Sequence, residues 1–106
     1  MLGPDVNLHT IRESIDIFGC NIQSVICMEE MNELSQQISK QLRGKGDDDH
    51  LAEEMADVYI CLMMLYEMYG VDMHVIQDWV IKKQKREEGR IKLKKEELSN
   101  GTNNQS

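Results

Sequence analysis

Apolar residues recur at helical spacing along most of the chain. Hydrophobic side chains three and four positions apart predict helices over residues 5–18, 21–42, 48–69 and 73–88. Gly19, the stretch Arg43–Gly46 and Gly70 separate these segments, and Asn21 is a suitable N-cap for the second one. No run of alternating polar and apolar residues is convincing as a strand. The pattern therefore predicts an all-α fold, a helical bundle of about four helices.

The third predicted helix is the most apolar part of the sequence. Between Met55 and Tyr66 its only charged residue is Asp57. A helix that is apolar on every side is expected to be buried. The chain's polar end lacks such a pattern, so we predict a single helical domain over residues 1–97 and a disordered polar tail over residues 98–106.

Charge is distributed unevenly along the 106 residues, which carry a net charge of −7. Residues 1–81 hold 15 acidic and 4 basic side chains, whereas residues 82–106 hold 4 acidic and 8 basic ones. Because binding to a nucleic-acid polymer needs a basic surface, the acidic body argues against that function.

Cysteine usage and hydropathy indicate a cytoplasmic protein. The three cysteines are odd in number and form no Cys-x-x-Cys pair, which argues against a disulfide framework or a zinc site. The N-terminus lacks a signal-peptide pattern, and the longest apolar run is too short to span a membrane.

Two pairs of acidic residues recur at a spacing of three on consecutive predicted helices. Such spacing places both members of a pair on one helix face, and the pairs are Glu30 with Glu33 and Glu54 with Asp57. Asp57 lies in an apolar run, where an isolated carboxylate is costly, and facing carboxylates also repel one another. A divalent cation would relieve both costs. Oxygen ligands favour Mg²⁺, with Mn²⁺ as a possible substitute.

Other interpretations of these acidic residues remain open. A single Glu-Glu-x-x-Glu pattern is also typical of a solvated helix face, but two facing pairs are more specific. A di-iron helical bundle requires Glu-x-x-His. His9, His50 and His74 follow Val6, Asp47 and Val71 at that spacing, so the di-iron pattern is absent.

The combined pattern resembles the MazG-type nucleoside triphosphate pyrophosphohydrolases of the all-α NTP pyrophosphatase superfamily. It consists of Glu29-Glu30-x-x-Glu33 followed by Glu54-x-x-Asp57, and the resemblance covers about residues 20–90. The resemblance implies Mg²⁺ binding by Glu30, Glu33, Glu54 and Asp57. It further implies cleavage of a nucleoside triphosphate between its α and β phosphorus atoms, and assembly as a homodimer or homotetramer.

Further roles follow from the physical mechanism of such a reaction. Either Glu29 or Glu33 would accept the proton of the attacking water. Basic residues of the last helix would contact the substrate's phosphates, unless they form a solvated helix end: Lys82, Lys85, Arg86 and Arg90. Trp79 and Tyr59 are core residues or a wall for the nucleobase. Two alternatives to this function are a phosphoribosyl-ATP pyrophosphohydrolase and a non-catalytic helical adaptor.

Overall fold

Helices account for nearly all of the described structure. The computed structural model describes residues 3–104, which form the four helices α1 (Leu8–Phe18), α2 (Cys20–Leu42), α3 (Asp48–Tyr69) and α4 (Met73–Asn104). No strand occurs among these residues, so the predicted all-α class is confirmed. None of the described helices combines the length and the apolarity that crossing a membrane requires.

The junction between α1 and α2 is a single residue. α1 begins at Leu8, three residues later than predicted, because the side chain of Asn7 accepts a hydrogen bond from the amide of Thr10 at 3.2 Å and caps the helix. Gly19 then ends α1 and directly precedes α2, with a φ of 90° that side-chain-bearing residues rarely adopt. The prediction that Asn21 caps α2 is wrong, since the helix already begins at Cys20.

The bounds of α3 agree with the sequence prediction. The side chain of Asp47 accepts a hydrogen bond from the amide of Asp49 at 2.9 Å, and Asp48 and Asp49 lie in the positively polarised first turn. Gly70, with a φ of 62°, ends the helix in the left-handed conformation. These local signals fix where α3 starts and stops.

The chain divides into two units between Val71 and Asp72. In the first unit, α3 packs mainly on α2 and also on α1. Arg12 on α1 donates two hydrogen bonds to Glu67 on α3, each of 3.1 Å. The buried amide of Gln23 on α2 donates to the hydroxyl of Ser14 on α1 at 2.8 Å. These contacts hold the three helices in a defined register.

α3 is less buried than its apolar sequence predicts. Cys61 is the only buried residue of this helix, whereas Met55, Ile60 and Leu62 are exposed. The expectation of a helix buried on every side is therefore wrong for the single chain. The reason is that α1 and α2 cover only part of the circumference of α3.

The second unit contains α4. The helix begins at Met73, as predicted, and the Asp72 side chain accepts a hydrogen bond from the amide of His74 at 2.8 Å. α4 continues to Asn104, so its predicted end at Glu88 is wrong. Lys, Arg, Glu and Leu make up nearly all of residues 90–98 and favour a helix there.

The extension reaches into the segment that composition predicts to be a disordered tail. Residues 98–104 continue α4, and residues 105–106 lie outside the described residues. The single domain over residues 1–97 stays a prediction, since α1–α3 and α4 fall into separate units.

Candidate metal centre

Four carboxylates from two helices lie together in the first unit. α2 carries Glu30 and Glu33, and α3 carries Glu54 and Asp57. One carboxylate oxygen from each residue lies within 4.8 Å of the others. Glu33 is exposed and the other three are half-buried. The packing of α2 on α3 thus brings together the four residues that were predicted as metal ligands from their spacing in the sequence. We call them the carboxylate cluster.

Two oxygens of the carboxylate cluster are buried without a hydrogen-bond partner among the described residues. They are Oε2 of Glu30 and Oε2 of Glu54. Buried polar atoms are normally hydrogen-bonded, and an unpaired one costs about 1–3 kcal/mol. A cation between these oxygens would satisfy them.

The electrostatics of the cluster disfavour full ionisation. The pKa of Glu30 rises to about 7, first because burial disfavours its charged form and then because its protonated form hydrogen-bonds to Asp57. The negative charges around Glu30 add to this shift. The pKa of Glu54 is also raised, by burial and then by the charge of Glu33. Holding the four carboxyl groups together therefore lowers the stability of the metal-free protein, and a bound cation would remove this destabilisation.

The donor set fits a hard divalent cation. All four side chains offer carboxylate oxygens, which are the ligands that Mg²⁺ prefers and Mn²⁺ accepts. Four ionised carboxylates carry more negative charge than one divalent ion neutralises. A second cation, arriving with a phosphate ligand, therefore also fits the charge of the cluster.

The remaining predicted site residues lie outside this group. Glu29 is exposed on α2, one residue from Glu30. The four predicted phosphate contacts are exposed residues of α4, in the second unit: Lys82, Lys85, Arg86 and Arg90. The ammonium of Lys82 lies 4.9 Å from the centre of the Trp79 ring. The guanidinium of Arg90 pairs with Glu87 at 2.7 Å. Their catalytic and phosphate-binding roles stay predictions.

A pair of thiols next to the cluster was not singled out from the sequence. Cys27 on α2 and Cys61 on α3 are both buried. The missed signal is their spacing. Cys27 precedes Glu30 by three residues and Cys61 follows Asp57 by four, so each lies one helical turn from a cluster carboxylate.

Comparison with known proteins matches a region of the chain to a protein family. The family model described as the MazG nucleotide pyrophosphohydrolase domain matches residues 23–91. The matched region contains all four residues of the carboxylate cluster. No curated protein and no solved structure matches the chain.

Proposed function

The chain belongs to the MazG nucleotide pyrophosphohydrolase family, and we propose that it uses Mg²⁺ to hydrolyse a nucleoside triphosphate between its α and β phosphorus atoms. The products would be a nucleoside monophosphate and pyrophosphate. One observation carries the proposal beyond family membership. Four carboxylates converge within 4.8 Å, and two of them have buried oxygens that lack a partner among the described residues.

The carboxylate cluster would hold the cation. Glu30 and Glu54 contribute the buried, unpaired oxygens, and Glu33 lies at the exposed edge. When bound, Mg²⁺ or Mn²⁺ supplies positive charge that neutralises the phosphate oxygens as the anhydride bond breaks. The half-buried position of Asp57 and Glu54 keeps part of this charge away from water, which strengthens its effect.

The proton of the attacking water needs an acceptor near the cluster. Glu33 belongs to the cluster and is exposed, so its carboxylate can accept a proton and release it to solvent. Glu29 is exposed on the same helix and is the second candidate. Substitution of each by Gln, assayed at saturating Mg²⁺, separates the two, because loss of the base lowers kcat even when the cation site is filled.

The basic residues of α4 are proposed to bind the triphosphate. Lys85 and Arg86 are exposed and form no ion pair within residues 3–104, so their donors are free for phosphate oxygens. Lys82 and Arg90 would contribute in the same way, although Arg90 would have to leave Glu87. Arg binds phosphate with two parallel donors, and Lys binds it as a point charge.

We further propose that copies of the chain associate as a homodimer or homotetramer in the cytoplasm. Apolar side chains on α2 remain exposed in the single chain, among them Ile22, Val25 and Met28. Exposed apolar surfaces of this kind mark interfaces. The buried thiols of Cys27 and Cys61 suit the reducing cytoplasm.

A pair of neighbouring substitutions tests the proposal. Glu54→Gln removes a cluster ligand, whereas Glu53→Gln makes the same change at an exposed neighbour outside the cluster. We expect Glu54→Gln to abolish Mg²⁺-dependent turnover of a panel of nucleoside triphosphates while its circular dichroism stays helical. Glu53→Gln should keep its turnover. Full activity of Glu54→Gln would end the proposed role of the cluster.

A further inference from the structure

Positive charge in the first unit is concentrated where α2 ends and the chain turns toward α3. Residues 1–71 contain only four Lys or Arg side chains. One of them, Arg12, is already occupied, since it donates two hydrogen bonds of 3.1 Å to Glu67. The other three fall within residues 40–45, which we call the basic turn: Lys40, Arg43 and Lys45. An acidic unit thus carries its remaining Lys and Arg charge at one place.

Backbone hydrogen bonds hold the two lysines of the basic turn close together. Gly44 adopts a left-handed φ of 70°, and its amide donates to the carbonyl of Gln41 at 3.1 Å. The amide of Lys45 donates to the carbonyl of Lys40 at 2.9 Å. This pair of bonds is the Schellman motif that ends many helices. Lys45 therefore turns back onto the last turn of α2, beside Lys40.

The basic turn is also fixed to α3, and the acids beside it are engaged elsewhere. The side-chain amide of Gln41 donates to the carboxylate of Asp48 at 3.1 Å. The carboxylate of Asp47 caps α3 by accepting from the amide of Asp49. Both lysines of the turn are exposed, and neither forms an ion pair within residues 3–104. Their ammonium groups are therefore available to an anionic ligand.

The register of α2 aligns the basic turn with the carboxylate cluster. Glu33 is the exposed member of the cluster, and Lys40 follows it by seven residues. Residues seven apart lie on the same helix face, two turns and about 10 Å apart along the axis. The Cα–Cβ bonds of a helix tilt toward its N-terminus, so that of Lys40 tilts toward Glu33. The flexible four-carbon stem of Lys40 shortens the gap further, and a chain of phosphate groups can span the rest.

We propose that Lys40 and Lys45 bind the β and γ phosphates of the nucleoside triphosphate, the part that is released as pyrophosphate. The inference rests on the proposed function, in which the cluster acts at the bond between the α and β phosphorus atoms. Four carboxylates carry more negative charge than one divalent ion neutralises, so the terminal phosphates need positive charge from outside the cluster. Unlike the basic residues of α4, both lysines belong to the same unit as the cluster. The basic turn would therefore select ligands whose phosphate chain is long enough to span both places.

Binding of inorganic pyrophosphate tests the two lysines without requiring turnover. Calorimetry measures its affinity for the full chain in the presence of Mg²⁺. Lys40→Gln/Lys45→Gln should weaken pyrophosphate binding by about tenfold or more, because two charge-assisted contacts are lost. Lys92→Gln/Lys95→Gln removes the same charge from exposed residues of α4 and should change the affinity by less than about twofold. No binding to the wild type, an unchanged affinity in the first variant, or an equal loss in both variants would overturn the inference.

Kinetics and Mg²⁺ binding distinguish a phosphate contact from a structural role. In Lys40→Gln/Lys45→Gln the KM for a nucleoside triphosphate should rise by about tenfold, while the affinity for Mg²⁺ alone is not weakened. A weaker Mg²⁺ affinity together with a lowered melting temperature would instead make the lysines structural and contradict the inference. The proposed function fails separately, because a wild type that binds pyrophosphate through these lysines but hydrolyses no nucleoside triphosphate would keep the phosphate site alone. Normal turnover with pyrophosphate binding that is insensitive to the lysines would keep the function alone.

Discussion

Replacement of Glu30 by Gln should stabilise the metal-free protein at alkaline pH while removing a metal ligand. The wild-type Glu30 carboxyl has a folded-state pKa of about 7, against an ordinary value of 4.5. The folded state therefore holds this proton more tightly than the unfolded state. The corresponding stability is fully present below pH 4.5 and is lost as pH rises through 7. Gln mimics the protonated form and keeps that stability at every pH.

The size of the effect follows from the pKa shift. One pKa unit corresponds to about 1.4 kcal/mol, so the shift of Glu30 sets an upper limit of about 3 kcal/mol. Glu30 is only half-buried, and solvent screening reduces the expected gain to about 1–2 kcal/mol. At pH 8 in a chelator, Glu30→Gln should be more stable than the wild type by this amount. At pH 4 the two should be equal.

Urea unfolding at a fixed protein concentration measures this difference. Glu29→Gln is the matched control, since it makes the same charge change on the adjacent exposed residue. It should alter the free energy of unfolding by less than about 0.5 kcal/mol. Added Mg²⁺ should reverse the order, because the wild type keeps all four ligands. A Glu30→Gln variant without added stability at pH 8 would refute the electrostatic reasoning.

Three further predictions concern the metal, a helix junction and the chain end. Mg²⁺ affinity measured by calorimetry should weaken about tenfold from pH 8 to pH 6, because one proton competes at Glu30; a pH-independent affinity would contradict this. Gly19→Ala should destabilise the fold by about 1–3 kcal/mol, since Gly19 has a φ of 90°. Gly89→Ala is its control: the added methyl meets nothing within 4 Å, and the helix should gain up to about 1 kcal/mol. Truncation after Glu97 should leave melting temperature and turnover unchanged, and loss of either would show that the tail is required.

Local sequence signals predicted much of the helical framework. Asp47 and Gly70 define the ends of α3 because an N-cap and a left-handed C-cap act within one turn. The prediction that Asn21 caps α2 was wrong for the opposite reason. Asn is a residue type that often caps helices, but Gly19 allows α2 to begin only one residue after α1. Boundaries that depend on the preceding helix are therefore harder to predict than boundaries that depend on one turn.

The convergence of the carboxylates was predictable because it needs only two rules. Residues three apart share a helix face, and consecutive helices with a short connection pack side by side. The exposure of α3 was not predictable in this way. An apolar sequence shows that a helix can bury its surface, but it does not show how much of that surface the neighbouring helices cover. The contact between Cys27 and Cys61 likewise needed the packing of α2 on α3 to become visible.

The central claim is that the carboxylate cluster serves cleavage of a nucleotide between its α and β phosphorus atoms. Phosphorus-31 NMR of nucleoside triphosphates incubated with the protein tests it most directly, with Mg²⁺ in one sample and a chelator in the other. We expect monophosphate and pyrophosphate to appear only in the sample with Mg²⁺. Formation of diphosphate and inorganic phosphate, or equal hydrolysis in the chelator, would contradict the account.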